Sequence, residues 1–362
     1  MAASTDPQLC RSLLERLERL LGFAPIERPL ALQLGGDDPA LLAQATRLAA
    51  DWGYDEVNLN VGCPSEKVQQ GRFGACLMAV PEQVARCVEA MAAASPLPVT
   101  VKHRIGIDNQ DSYEELLTFV DTVAGSGAQR FAVHARKAWL AGLDPKQNRT
   151  IPPLRWDLVQ QLKRDRPSLM IELNGGLEQL NQCRQQLEQL DGVMVGRAAY
   201  HHPLRWAAVD GDIFAAPAAD PIRASSVVRG LVPHAERWCS SGGRLWPIAR
   251  HLVHVVEGVN GARPWRAALS RAAAAPDAGA EVLEAAGSSS LVALAVVRRE
   301  DVEAVGAAFQ GAGGAPDAVD VEALGWWWGL KQSGVLPAHG TQLALRAAPG
   351  GAEMALVRDG EP

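Results

Sequence analysis

Long apolar runs are missing from this chain. No stretch approaches the roughly 18 consecutive apolar residues that a membrane-spanning helix needs, which excludes an integral helical membrane protein. Cysteine is sparse, six residues in 362, which excludes a dense disulfide framework, and no CxxC pair or His-rich spacing suggests zinc. The N-terminal text MAASTDPQLCRSLLERLERLLGF lacks the basic stretch and apolar block of a secretory leader. These absences predict a cytoplasmic protein with reduced thiols. What is present is a globular composition, 48% hydrophobic and 21% charged, which also excludes a collagen-like chain. At 362 residues it exceeds what one compact core usually holds, predicting a barrel-sized domain with an appendage, or two domains.

The net charge of −6 argues only weakly against a polyanionic partner, because charge is segregated along the chain. Residues 221–271 carry eight arginines against Glu236 and Glu257, a net +6. Residues 272–362 carry five basic and twelve acidic residues, a net −7, and residues 1–220 a net −5. Such a basic module can supply phosphate contacts whatever the global charge, since a Debye length of about 8 Å screens the distant acidic segments. A solvated helical face is the alternative reading.

Six apolar runs closed by glycine or a turn predict strands at Pro29–Gly35, Glu56–Gly62, Pro98–Gly106, Arg130–Arg136, Leu169–Gly175 and Gly192–Gly196. Helical patterns fall between them, such as Asp38–Gly53 and Pro81–Ala94. The βα alternation predicts a parallel sheet, either an open doubly wound one or a (βα)8 barrel of the TIM type. Polar residues at or near successive strand ends, Gln33, Asn60, Lys102, His134 and Asn174, favour the barrel, where loops at one mouth converge on a ligand. Six strands do not close an eight-stranded barrel, so the expectation is that about two βα units are missing at the front and that the true start lies upstream.

After Gly196 the βα rhythm stops. The expected organisation is a barrel-type domain over 1–220, a small Arg-rich helical domain over 221–286, and an Ala- and Gly-rich, poorly ordered tail over 287–362. From residue 272 onward the chain holds 23 Ala, 13 Gly and an isolated Trp326-Trp327-Trp328.

Cys63 falls just past a predicted strand, between Gly62, which permits an unusual backbone angle, and Pro64, which fixes the next. A thiol presented there can serve as a general acid at neutral pH, or as a nucleophile if its pKa is depressed. Cys10, Cys76, Cys87, Cys183 and Cys239 lack such a setting and read as packing residues. Asn174-Gly175-Gly176 and Gly196-Arg197 follow the last two strands, where barrels commonly bind phosphate through backbone N–H groups. Lys102 and His134 lie inside strands and each requires a partner, either a structural one or a bound anion.

With these residues assembled, the chain resembles the tRNA-dihydrouridine synthases, most closely their A subfamily. The matching text is LQLGG (Leu32–Gly36), NLNVGCPSEKVQQGRFGACLM (Asn58–Met78), VKHRIGID (Val101–Asp108), HARKAWLAGLDPKQNRTIPPL (His134–Leu154), NGG (Asn174–Gly176) and DGVMVGRAAYHHP (Asp191–Pro203). The resemblance spans about residues 20–285 and implies a flavin-containing barrel followed by a helical tRNA-binding domain. FMN reduced by NADPH would pass a hydride to the uracil ring of a D-loop uridine at positions 20 and 20a. Cys63 matches the family's proton donor, and Gln33, Lys102 and His134 match residues that hold the isoalloxazine ring. Asn174, Gly175, Gly176, Gly196 and Arg197 match the FMN phosphate and ribityl contacts. Asn60 would hydrogen-bond the extruded uracil, and Lys146, Arg149, Arg263 and Arg266 would contact tRNA. The family's opening strands, with a Pro-Met pair and a Thr-Glu-Met, have no counterpart before Leu32. A metal and a membrane partner are not expected, and a monomer is. The alternatives are an FMN-barrel reductase of a small pyrimidine, and a tRNA-binding protein without catalysis.

Overall fold

A computed structural model describes residues 16–217, 220–259 and 261–288, together with the backbone of two strands, Thr341–Ala348 and Gly351–Arg358. The chain divides into two units, one of Met1–Tyr200 with Ala208–Pro217 and one of His201–Ala207 with Ala218–Pro362.

In the first unit six strands form one parallel sheet in the order of the sequence: β1 (Ala31–Leu34), β2 (Glu56–Val61), β3 (Val99–Arg104), β4 (Arg130–His134), β5 (Met170–Asn174) and β6 (Gly192–Met194). A doubly wound sheet reverses its strand order at a switch point; this succession never reverses, which is the progression of a TIM-type barrel. Each expected strand forms within slightly shorter limits. The connecting helices include α1 (Pro39–Asp51), α2 (Pro81–Ala94), α3 (Tyr113–Ala124), α4 (Trp156–Asp165) and α5 (Leu180–Leu187). Helix α1 starts where the Asp38 carboxylate accepts the N–H groups of Ala40 and Leu41, and α3 starts on a Ser112/Glu115 capping box.

Period-two alternation gives the sheet two unlike faces. One is apolar and buried: Val57, Leu59 and Val61 on β2, Val99 and Val101 on β3, Phe131 and Val133 on β4, Ile171 and Leu173 on β5. His103 shares this face, its ring packed against Phe119 and Phe131 and its Nδ1 on the Arg104 carbonyl. The opposite face carries Gln33, then Glu56, Asn58 and Asn60, then Thr100, Lys102 and Arg104, then Arg130 and His134, then Glu172 and Asn174. So many polar groups on one face need one another or a ligand, because an unpaired buried polar group costs about 1–3 kcal/mol.

The second unit has its own core, built from Val228, Val232, Ala235, Leu245, Ala249, Leu252, Leu269 and Leu283. These come from α6 (Ala224–Gly230), α7 (Val232–Ser240), α8 (Trp246–Leu252), α9 (Ala262–Ala273) and α10 (Glu281–Ser288), with Leu245 just before α8. Trp265 on α9 donates its indole N–H to the Ala286 carbonyl on α10 at 3.1 Å. Thr341–Ala348 and Gly351–Arg358 pair antiparallel, Thr341 opposite Arg358. Trp326–Trp328 and Cys10 lie outside the described residues, as does most of 287–362. Among the described residues no helix is long and apolar enough to cross a membrane.

Candidate active site

Cys63 sits two residues beyond β2, and its loop is fastened at each end. The Asn60 Oδ1 accepts the N–H groups of Gly62 at 3.0 Å and Cys63 at 3.1 Å. The Cys63 carbonyl accepts the Ala75 N–H at 2.9 Å. Gly74 must be glycine for this approach: its φ is +77°, and a Cβ there would stand 2.5 Å from the Cys63 oxygen. Gln69 braces the loop from below, donating to the carbonyls of Pro64 and Leu140 at 3.0 and 2.9 Å. The thiol is half-buried, with Ser65 Oγ at 3.5 Å.

Next to this loop stands Arg104, a side chain that sequence reasoning passed over. It is 4% exposed, a level that for arginine demands partners. Its Nε donates to the Gly62 carbonyl at 2.9 Å and its Nη1 to those of Lys137 and Asn148, both at 3.1 Å. It therefore ties the cysteine loop to the long segment after β4. Asn148 completes that tie, fully buried, bonding Trp139 through both amide atoms and the Leu143 carbonyl besides. The available signal was the shared face: Arg104 follows Lys102 by two residues on β3.

Lys102 lies opposite Asn60 in the ladder of β2 and β3. Burial, with Arg104 nearby, pushes its ammonium down to about 7, although Glu172 works in the other direction. His134, at the end of β4, is held neutral by burial and by Arg104, Lys102 and Arg136, and its buried Nδ1 has no partner among the described residues. Asn174, opposite His134 in the ladder, donates to the Met194 carbonyl at 2.7 Å and so joins β5 to β6. A Cβ on Gly175 would stand 3.2 Å from His134 Nε2; one on Gly176 (φ +76°) would stand 2.3 Å from Leu154 Cδ1. Around Gly196 there is open space, and burial, with the exposed Arg197 beyond Gly196 adding to it, pushes the Arg136 guanidinium below its usual range. Arg149 lies close enough to Arg104 to affect it, and its buried Nε has no partner among the described residues.

One mouth of the sheet thus gathers Lys102, Arg104, Arg136, Arg149 and Arg197, and among the described residues none of the five is in a salt bridge. Like charges gathered outside any salt bridge, with Glu172 acting on Lys102 alone, suit a site for an anionic ligand.

The dihydrouridine synthase family model matches residues 12–290. The chain belongs to the dihydrouridine synthase family. It is 56% identical over 269 residues to the tRNA-dihydrouridine(20/20a) synthase of Synechocystis sp. (strain ATCC 27184 / PCC 6803 / Kazusa), covering 74% of this chain and 80% of that one. It is 55% identical to the protein of that name from Shewanella oneidensis, covering 72% and 77%. The one from Escherichia coli (strain K12) is 52% identical, covering 73% and 76%.

In this dihydrouridine synthase chain the first unit brings together Gln33, Asn60, Cys63, Lys102, His134, Asn174 and Gly175 through the bonds and ladder positions above. Gln33 is exposed on β1 yet bonded to both Asn58 and Asn60. Lys146 is exposed on the same loop as Asn148 and Arg149. Arg263 and Arg266 belong to the second unit, both on α9: Arg263 is exposed, whereas Arg266 donates Nη1 to the Val256 carbonyl at 2.8 Å. Among the described residues no cluster fit to hold a metal ion is found.

Proposed function

We propose that this chain is a tRNA-dihydrouridine synthase that reduces uridine at positions 20 and 20a of the D-loop to 5,6-dihydrouridine, with FMN as cofactor and NADPH as reductant. The observation that carries this reading is the cationic mouth, outside any salt bridge among the described residues and with Cys63 on its rim, in a chain whose family and named relatives are known. FMN suits the residues present: the orphaned His134 Nδ1, the open space around Gly196, and the neighbouring like charges of Arg136 and Arg197 fit an acceptor-rich anion. When bound, the flavin supplies the hydride.

The chain's own residues do the rest. Asn174, Gly175, Gly176, Gly196 and Arg197 hold the phosphate and ribityl end, with Arg136 beside them, and Gln33, Lys102 and His134 hold the ring system. Lys102 would put a positive charge beside the ring system and so favour an anionic reduced cofactor. Asn60 and Arg104 hold the loop that aims the Cys63 Sγ, whose proton goes to the ring carbon that does not receive the hydride. Lys146 and Arg149, with Arg263 and Arg266 of the second unit, neutralise tRNA phosphates. A tRNA substrate places the enzyme in the cytoplasm, and one copy of the chain supplies every residue named.

The test is incubation of unmodified tRNA with the full chain, FMN and NADPH, followed by nucleoside mapping. Dihydrouridine at 20 and 20a is expected; flavin-loaded protein that reduces free pyrimidines but not tRNA would overturn the reading. Replacing Arg263 and Arg266 by alanine should weaken tRNA binding by about tenfold and flatten log Kd against log salt by about 1–2, counting one phosphate per arginine. An unchanged salt slope would remove the second unit from the tRNA interface.

A further inference from the structure

We propose that Glu56, at the end of β2 remote from Cys63, is a positioning residue that fixes the direction of a hydrogen-bonded ladder across the sheet, and with it the side that Asn60 turns to the cysteine loop. The inference rests on the reading of Cys63 and Gln33 as active-site residues.

The ladder runs without a gap. Asn60 Nδ2 donates to Gln33 Oε1 at 3.2 Å, Gln33 Nε2 to Asn58 Oδ1 at 2.7 Å, and Asn58 Nδ2 to Thr100 Oγ1 at 2.8 Å. Thr100 Oγ1 donates to Glu56 Oε1 at 2.5 Å. The other Glu56 oxygen accepts from Arg130 Nη1 at 2.9 Å, and Arg130 Nε bonds Glu172. Thr100 and Asn58 are buried, so each has few other partners.

Every orientation follows from the two ends. A carboxylate only accepts, so the Thr100 hydroxyl must donate to it; the Thr100 oxygen is then left to accept from the Asn58 amide nitrogen. The Asn58 carbonyl therefore faces Gln33, which presents its nitrogen there and its carbonyl to Asn60. Asn60 is left with its carbonyl toward the N–H groups of Gly62 and Cys63, which can only donate. An acceptor-only end and a donor-only end agree, so no link is frustrated. One consequence concerns the ligand: with Gln33 Nε2 directed to Asn58 and Oε1 to Asn60, the donor Gln33 has left to offer a ligand is its second N–H.

Glutamine at 56 breaks the agreement. Arg130 has no acceptor, so it would claim the new amide's carbonyl, and the amide nitrogen would face Thr100. The hydroxyl would then donate to Asn58, and each amide would turn over in sequence until the Asn60 carbonyl pointed to Gln33 rather than to the loop. Removing Arg130 as well frees that carbonyl to face Thr100 and restores the original direction.

The experiment is backbone amide exchange at Gly62 and Cys63 in the flavin-free full chain, so it is decided independently of whether tRNA is reduced. Glu56→Gln should accelerate exchange at these two amides at least tenfold while β4 and β5 stay within twofold of wild type. Thr100→Ser, which keeps the hydroxyl, should leave both amides unchanged, and Glu56→Gln combined with Arg130→Met should return them to within threefold. Unchanged exchange in folded Glu56→Gln protein, acceleration spread evenly over the sheet, or failure of the Arg130→Met rescue would each overturn the proposal. Should Glu56→Gln not fold, Thr100→Val cuts the same ladder with the shape kept. Acceleration of at least threefold confined to Gly62 and Cys63 then supports the proposal, and wild-type rates there overturn it.

Discussion

Replacing Cys63 by alanine lowers the rate of dihydrouridine formation by about 10²–10⁴-fold at saturating tRNA, the range that general-acid catalysis commonly contributes. Flavin absorbance and tRNA affinity stay at wild-type levels. The expectation comes from geometry. The thiol is half-buried on a loop whose two N–H groups rest on Asn60 and whose carbonyl rests on Ala75, so its removal deletes a proton source and little packing. Cys63→Ser keeps a donor of much higher pKa and should fall between the two. The other thiols are set apart chemically: burial pushes Cys76, Cys87 and Cys183 up, the last two lying in the helix-packed layer. Single-turnover rates across pH separate these outcomes, and an alanine variant as fast as wild type would mean that solvent or another group delivers the proton.

Lys102→Met should stabilise the ligand-free protein while crippling the loaded one. The folded-state ammonium titrates at about 7, against 10.5 when exposed. Between those values the unfolded chain holds a proton that the native protein lacks, so stability rises with pH across that window. Below pH 7 the lysine is charged in both states and the burial cost is present in full; above about 10.5 it is neutral in both, and the cost is gone. The methionine variant removes that slope and gains on the order of 3 kcal/mol at pH 6–7, after discounting for water that reaches the side chain. His103 and His134 add their own slope only below their ordinary value of 6.5, because burial keeps both neutral, so the two windows do not overlap. Loss of one charge-assisted bond should meanwhile weaken FMN binding by about 30-fold, or 2 kcal/mol. Urea unfolding between pH 6 and pH 10 is the check, and parallel wild-type and variant curves would show that Lys102 is not desolvated.

Much of the fold was legible because local signals carry it. Six runs of β-branched and apolar residues end in glycine or a turn, and the polar residues at their ends fall on one face by alternation alone. Lys102 and His134 stood out because a charged or titratable group inside an apolar run is costly. Arg104 did not stand out, although it is as central: in the text VKHRIG it looks like one more basic residue. Its importance lies in the carbonyls of Gly62, Lys137 and Asn148, which are 42, 33 and 44 residues away and join it only after folding. Asn148 was hidden for a related reason, since a buried asparagine that fastens its own loop is indistinguishable in sequence from one in a turn. The direction of the Glu56 ladder is further still from local reading, because it depends on the register of three strands at once. The segment His201–Ala207 groups with the second unit by contacts that form only after folding.

The most direct test of the central claim joins product to cofactor in one vessel. The full chain, loaded with FMN and reduced by NADPH without oxygen, is mixed with unmodified tRNA, and flavin reoxidation is followed alongside nucleoside mapping. One dihydrouridine at position 20 or 20a per flavin reoxidised is the predicted result. Flavin that stays reduced in the presence of tRNA, or that reoxidises without dihydrouridine appearing, would contradict the account.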